Sequence, residues 1–141
     1  MGVEDVLFVC RSNIGRSQVA MELYNRLNSK LAESAGTLVD SPGQKVGEWE
    51  GSAVVVQVMK EDYGIDISGN QRRQLDKQML VNFGGKVIVM AEMEAVPPYL
   101  LGHGEREFWE VPDLKDQDAA SSRAIIKNIQ ERIERLHNGH R

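Results

Sequence analysis

The sequence has a single cysteine, Cys10, among its 141 residues. One cysteine excludes an intramolecular disulfide, a zinc ribbon and any internal dithiol relay. Positive charge is not in excess either: 17 Lys and Arg against 21 Asp and Glu leave a formal charge of −4. That balance speaks against a nucleic-acid partner, since phosphate contacts usually leave a basic patch. No apolar run approaches the roughly 20 residues needed to span a bilayer, so no membrane partner is expected. The opening MGVEDVLFVC is acidic before its apolar run and lacks a signal-peptide pattern, and Met1-Gly2 does not lead into a myristoylation signal because position 6 is Val. The expected setting is cytoplasmic and reducing, where a free thiol can be kept for chemistry. His103, His137 and His140 have no metal-ligand spacing with one another or with Cys10, so neither a metal nor another cofactor is expected.

Hydrophobic residues make up 41% of the chain and are evenly spread, with no repeat, low-complexity tract or linker to divide it. One domain over residues 1–141 is therefore expected. Val6 to Val9 is a short apolar strand, and from Arg16 the period becomes helical, with Val19, Leu23 and Leu27 on one face and Ala20, Tyr24 and Leu31 beside it. Residues 31–35 suggest a second strand ended by Gly36, and residues 36–52 a long ordered loop. Ser52 is placed to cap a helix reaching about Glu61, with Gly64 as its stop. Gln74 to Phe83 predicts a short helix, Lys86 to Met90 a buried strand and Phe108 to Val111 a last strand. A final helix from about Ala119 to His137 carries the stripe Ile125, Ile126, Ile129, Ile133 and Leu136. Alternating strands and helices with continuously apolar strands predict an α/β fold: a three-layer domain with a central parallel sheet of about four strands and helices on both faces.

In such sheets ligands bind beyond the carboxyl ends of the strands, near the point where strand order reverses. Cys10 to Gly15 and Pro112-Asp113 both follow strands directly and should share that rim. Cys10 and Arg16 flank five residues at the strand-to-helix junction, with Ser17 next to Arg16. Backbone N–H groups of a loop entering a helix can converge on one anion, and the helix dipole adds partial positive charge there. Arg16 offers a planar fork of donors to a tetrahedral oxyanion. A thiolate at the base of this cup is itself an anion that the cup favours, and the combination suits attack on phosphorus. A free cysteine ending a strand is often just a small buried hydrophobe. Residues 11–17, polar or small and including two arginines, make a poor wall for an inert thiol.

Cleaving a phosphate ester also requires a proton for the leaving oxygen. Asp113, Asp116 and Asp118 all sit in the late loop, and spacing alone does not separate them; for Asp116 and Asp118 a solvated turn and a helix N-terminus are the simpler reading. Arg72-Arg73 reads as a solvated face, and Met59, Met79, Met90 and Met93 as core filler.

The segment Cys10-Arg11-Ser12-Asn13-Ile14-Gly15-Arg16-Ser17 resembles the phosphate-binding loop of the low-molecular-weight protein tyrosine phosphatases, whose superfamily includes the thioredoxin-type arsenate reductases. Ser34-Ala35-Gly36-Thr37, Tyr63-Gly64-Ile65-Asp66-Ile67-Ser68, Val87 to Met90 and Pro112-Asp113 resemble further family segments in the same order. The resemblance implies Cys10 as nucleophile, Arg16 as phosphate clamp and Asp113 as general acid, then base. It also implies Asn13 and Ser17 as holders of the loop, no metal, and a phosphotyrosine protein or other phosphomonoester as substrate bound by residues 11–17. The chain departs from the pattern at four places: Gly15 stands where many members have a second cysteine, Asn70 where histidine is common, and Leu114 where proline usually follows the acid, with no tyrosine after it. Trp49 is then the aromatic candidate for gripping a phenyl ring.

The expected function is a cysteine-dependent phosphomonoesterase, with a protein tyrosine phosphatase as its specific form and a Cys10 thiophosphate intermediate. Two alternatives stand beside it. One is an arsenate reductase, suggested by Ser17-Gln18 after the arginine, which would need an external thiol. The other is a phosphoprotein-binding module without turnover.

Overall fold

The computed structural model describes residues 5–28 and 31–139; Met1, Gly2 and His140 lie outside them. Four parallel strands, β1 (Val6–Cys10), β2 (Ala32–Gly36), β3 (Lys86–Val89) and β4 (Arg106–Phe108), form one sheet in the order β2-β1-β3-β4. The helices are α1 (Arg16–Asn28), α2 (Ala53–Tyr63), α3 (Lys77–Asn82), the single turn α4 (Pro98–Leu101) and α5 (Ala119–Asn138).

Alternation along β1 divides the core into two layers. Val6, Phe8 and Cys10 face a cluster built with Val19 and Tyr24 of α1, Val58 and Met59 of α2, and Ile126 and Ile129 of α5. Leu7 and Val9 face the other side, with Val87, Val89, Leu80 of α3 and Leu100 of α4. The sheet is thus covered on both faces, which is why its central strands need no polar alternation. Phe8 anchors the first layer with its ring 5.9 Å from Tyr24 and 6.0 Å from Trp109.

β1 sits between β2 and β3, so strand order reverses there, and its carboxyl end is the switch point of the sheet. Register aligns the strand ends: Cys10 lies opposite Gly36, Val9 opposite Val89, and Val89 opposite Phe108. Everything that follows these strands emerges on one rim.

Several elements differ from expectation. The last strand is Arg106–Phe108, exposed at the sheet edge, because pairing stops where β3 ends at Val89. The Trp109 N–H still donates to the Val89 carbonyl at 2.9 Å, and Trp109 and Val111 are buried by packing in the first layer. Gln74 bridges to Gly36 and does not start α3, which begins after Asp76, whose side chain accepts from the Met79 N–H at 2.7 Å. Leu27 is exposed: the inward face of α1 runs through Val19, Ala20, Leu23, Tyr24 and Asn28, and Asn28 donates to the Tyr24 carbonyl at 2.9 Å. Met93 is likewise exposed, whereas Met59 and Met90 are in the core. Ser52 precedes α2 as foreseen, yet its buried side chain makes no capping bond.

Candidate active site

The loop from Cys10 to Gly15 joins β1 to α1. Gly15 is the residue whose carbonyl accepts the first helical bond, from the Val19 N–H at 2.9 Å. The loop turns through Asn13 at φ +54°, a left-handed conformation that asparagine tolerates better than most residues. The Asn13 side chain is buried and fully used. It donates to Ser17 Oγ at 2.8 Å and to Ser34 Oγ at 3.0 Å, and accepts from the Arg73 N–H at 2.7 Å and from Gln18 Nε2 at 3.1 Å. Cys10 Sγ lies 3.0 Å from Ser17 Oγ. The hydroxyl receives a hydrogen bond from Asn13 and keeps a proton that it can turn toward the sulfur.

Two further contacts press the loop into place. The Thr37 and Leu38 N–H groups donate to the carbonyls of Cys10 and Arg11 at 2.9 and 2.8 Å. Gly36 permits this approach, for a Cβ there would stand 2.7 Å from the Arg11 oxygen and 2.9 Å from the Asn13 nitrogen. Asn70 donates to Glu22 at 2.7 Å and to Gln18 Oε1 at 3.2 Å, and Gln18 in turn holds the Asn13 carbonyl and side chain. The asparagine therefore braces the loop through an intermediary.

Arg16 is buried, and its guanidinium is fixed on one edge. Nη1 donates to the Met90 carbonyl at 2.7 Å, to Glu92 Oε2 at 2.8 Å and to the Val111 carbonyl at 3.2 Å; Nη2 reaches Glu92 Oε1 at 3.4 Å. Asp113 Oδ2 lies 3.9 Å from Nη2. Burial works against the charge of Arg16, but the Glu92 hydrogen bond and the fields of Cys10, Asp113 and Glu92 outweigh it and raise its pKa. Glu92 responds in the opposite sense: burial pushes its carboxyl up, while the hydrogen bond from Arg16 and the charges of Arg16 and Arg11 hold it below the ordinary value.

Asp113 is exposed on the loop after β4, with its carboxylate accepting from the Lys115 N–H at 3.1 Å. Asp116 adopts φ +61° in the turn beyond, and Asp118 caps α5 by accepting from the Ser121 N–H at 2.7 Å. Of the three aspartates, Asp113 is the one that faces the cup. Cys10, Ser12, Ile14, Gly15, Arg16 and Asp113 line a cavity of about 190 Å³ whose outer walls are Leu38, Trp49, Leu114 and Lys115. Trp49 is half-buried over Gly51, where a Cβ would collide with the indole. Arg11 is exposed outside this lining. Among the described residues no group of three His, Cys, Asp or Glu is placed to hold a metal ion, and no helix is long and apolar enough to cross a membrane.

Arg72 corrects the expectation of a solvated face. It is buried, with Nε and Nη2 on the Ser12 carbonyl at 3.2 and 3.1 Å, Nη1 on Gln44 Oε1 at 2.6 Å and Nη2 on Asp40 at 2.7 Å. Arg73 alone fits that expectation, half-exposed and paired with Glu33 at 2.8 Å. Glu92, Arg72 and Gln18 are the site-building residues that sequence reasoning missed. Glu92 had a usable signal, since it lies two positions beyond Met90 on the same rim as Asp113.

A parallel α/β sheet with a Cys-x5-Arg loop at its switch point is a phosphatase architecture. The family model of low molecular weight phosphotyrosine protein phosphatase matches residues 5–140, and the chain belongs to that family. Solved structures share the fold. A low molecular weight protein tyrosine phosphatase from T. tengcongensis is 24% identical, with 96% of this chain and 99% of that one covered and a TM-score of 0.77. Wzb from Vibrio vulnificus, in complex with benzylphosphonate, is 21% identical over 98% of this chain and 99% of that one, with a TM-score of 0.80. An arsenate reductase in its phosphate-binding state is 24% identical over 99% of this chain and all of that one, with a TM-score of 0.77. No curated protein sequence matches the chain.

Proposed function

We propose that the protein is a cysteine-dependent phosphomonoesterase acting on phosphotyrosine in proteins, with Cys10 as nucleophile, Arg16 as phosphate clamp and Asp113 as general acid. The observation that supports it best is the convergence of all three on one small cavity, with Ser17 hydrogen-bonded to the Cys10 sulfur and Asp113 Oδ2 3.9 Å from Arg16. A phosphoryl group enters with its oxygens toward the loop of residues 11–17 and the Arg16 fork. Cys10 Sγ attacks phosphorus, so that an S–P bond forms as the P–O bond to the leaving group breaks. Asp113 gives its proton to the departing oxygen. Water then attacks the thiophosphate, Asp113 takes one of its protons, the S–P bond breaks, and inorganic phosphate leaves with the Cys10 thiolate restored.

Asn13 and Ser17 act as holders of the cup, and no step requires a metal. Specificity for an aryl ester rests on the outer wall. Trp49 supplies a flat apolar surface, and Leu38 and Leu114 supply aliphatic ones. The test is a pH profile of aryl phosphate hydrolysis by the wild type and Asp113→Asn, with Cys10→Ser as control. Turnover abolished by Cys10→Ser, and a falling limb at high pH that disappears in Asp113→Asn, are expected. Robust hydrolysis by Cys10→Ser overturns the reading. So does a wild type that leaves aryl phosphates intact but reduces arsenate with a small thiol, or that binds phosphopeptides without turnover.

A further inference from the structure

We propose that Leu114, seated directly on Gly15, is the positioning residue that holds Asp113 over the phosphate cup. The inference deepens the phosphatase reading and rests on it. In the segment from Pro112 to Asp118, Leu114 is the one buried residue, while Asp113, Lys115 and Asp116 on either side are exposed. The polar contacts of Asp113 in its own loop are local: the Lys115 N–H bonds its carboxylate at 3.1 Å and Gln117 Nε2 its carbonyl at 3.2 Å. Such contacts shape the turn; across the cup the loop is met by Arg16, whose Nη1 donates to the Val111 carbonyl at 3.2 Å and whose Nη2 lies 3.9 Å from Asp113 Oδ2.

Leu114 adds an apolar contact directly beside the acid. A Cβ built on Gly15 would lie 3.0 Å from Leu114 Cδ1 and 3.1 Å from its Cβ, so the leucine occupies the space that the missing side chain leaves. Gly15 immediately precedes Arg16 and opens α1. The acid loop is therefore docked through an apolar contact onto the phosphate loop itself, one residue from Arg16 on one side and one from Asp113 on the other. Both positions depart from the family pattern noted above, and they meet each other. The absence of a side chain at 15 makes room for the branched one at 114.

Proton donation depends steeply on where the acid stands, whereas bond formation at phosphorus depends on Cys10 and Arg16. Loosening Leu114 should therefore impair the hydrolysis of esters whose leaving oxygen needs a proton more than that of esters whose leaving group departs as an anion. The experiment compares phenyl phosphate with 2,4-dinitrophenyl phosphate for wild type, Leu114→Ala, Leu114→Met, Gly15→Ala and Asp113→Asn. Leu114→Ala is expected to lose about tenfold more kcat/KM, which reports the first P–O cleavage and not the later hydrolysis of the shared thiophosphate, on phenyl phosphate than on the dinitrophenyl ester, in the direction of Asp113→Asn, with Leu114→Met losing less. Gly15→Ala, which pushes Leu114 by a few tenths of an ångström, should show a selective loss of about threefold. If Leu114→Ala does not fold, Leu114→Met and Gly15→Ala are read in the same assay. Equal losses on both esters by the folded variants overturn the proposal while Asp113→Asn still discriminates between them. A wild type that hydrolyses neither ester overturns the phosphatase reading instead.

Discussion

Arg72 lays Nε and Nη2 on the carbonyl of Ser12, at 3.2 and 3.1 Å, from a side chain that is 1% exposed. A basic residue of the 71–75 segment thus holds the backbone of the phosphate loop, and with Asp40 it lines the same cavity. Its remaining donors go to Gln44 at 2.6 Å and to Asp40 at 2.7 Å, tying residues 40–44 to the same point. The hydrogen bond from Arg72 holds the Asp40 carboxyl below its ordinary value, with the guanidinium charge adding to the effect.

Lysine at position 72 carries the charge but not the fork. Arg72→Lys should cost about 2 kcal/mol of stability and Arg72→Met about 3 kcal/mol, since the methionine leaves the Ser12 carbonyl and Gln44 unpaired where the arginine was buried. Chemical denaturation measures the loss. Phosphate affinity, read by protection against thermal unfolding, should fall in both variants, because Ser12 belongs to the cup.

Asn13 is the second point of restraint. Alanine in its place removes four hydrogen bonds to Ser17, Ser34, Arg73 and Gln18 and must still adopt φ +54°. The left-handed backbone alone costs an alanine about 1 kcal/mol, and the buried partners left unpaired add at least as much again. Asn13→Ala should therefore lose about 3 kcal/mol and abolish measurable phosphate binding. Asn13→Gly relieves only the backbone part, so it should be more stable than Asn13→Ala yet bind phosphate no better. Equal stability of the two variants would remove φ from the account.

The parts of the fold legible in the sequence are those that local pattern dictates. β1 reads as a strand because Val6, Leu7, Phe8 and Val9 are all apolar, and α5 as a helix because its isoleucines recur at helical spacing. The Cys10-to-Ser17 loop is legible for a different reason: its chemistry is packed into eight consecutive residues. What was misread depends on partners distant in the chain. Arg72 is buried because Ser12, Gln44 and Asp40 surround it, and the Trp109 ring is buried against Phe8, 101 positions earlier. Periodicity at residues 72 or 109 carries no trace of either contact. Glu92 belongs to the same class, as its role is set by an arginine 76 positions earlier.

Gly36 separates close approach from backbone freedom. Its φ needs no glycine, but a Cβ would meet the Arg11 oxygen at 2.7 Å, Val39 Cγ2 at 2.7 Å and the Asn13 nitrogen at 2.9 Å. Two of these are backbone atoms of the cup and cannot swing aside. Gly36→Ala should destabilise by about 2 to 3 kcal/mol through overpacking. It should also lower kcat/KM on aryl phosphates at least tenfold, because the loop itself must shift. Gly69→Ala, where a Cβ meets open space, is the control expected to leave stability within about 0.5 kcal/mol of wild type.

The Arg16–Glu92 pair predicts a pH signature of stability. Glu92 has its carboxyl lowered from an ordinary 4.5 by the hydrogen bond and charge of Arg16, against the upward push of burial. A carboxylate whose folded value lies below its unfolded one contributes stability that is complete above the unfolded value and lost as pH falls through the folded one. Glu92→Gln removes that contribution while keeping shape and one acceptor. The difference in Tm between wild type and Glu92→Gln should thus be constant at neutral pH and should shrink below about pH 4.5. Added salt should reduce the difference only in part, since the Glu92 side chain is 35% exposed while Arg16 is 3% exposed. Activity adds a second readout. A guanidinium no longer fixed by a carboxylate grips the phosphoryl oxygens less well, so Glu92→Gln should lower kcat/KM about tenfold at neutral pH, against about a thousandfold for Arg16→Ala. A Tm difference that stays unchanged down to pH 3 would show that the pair contributes nothing as an ion pair and that Glu92 acts only through its shape.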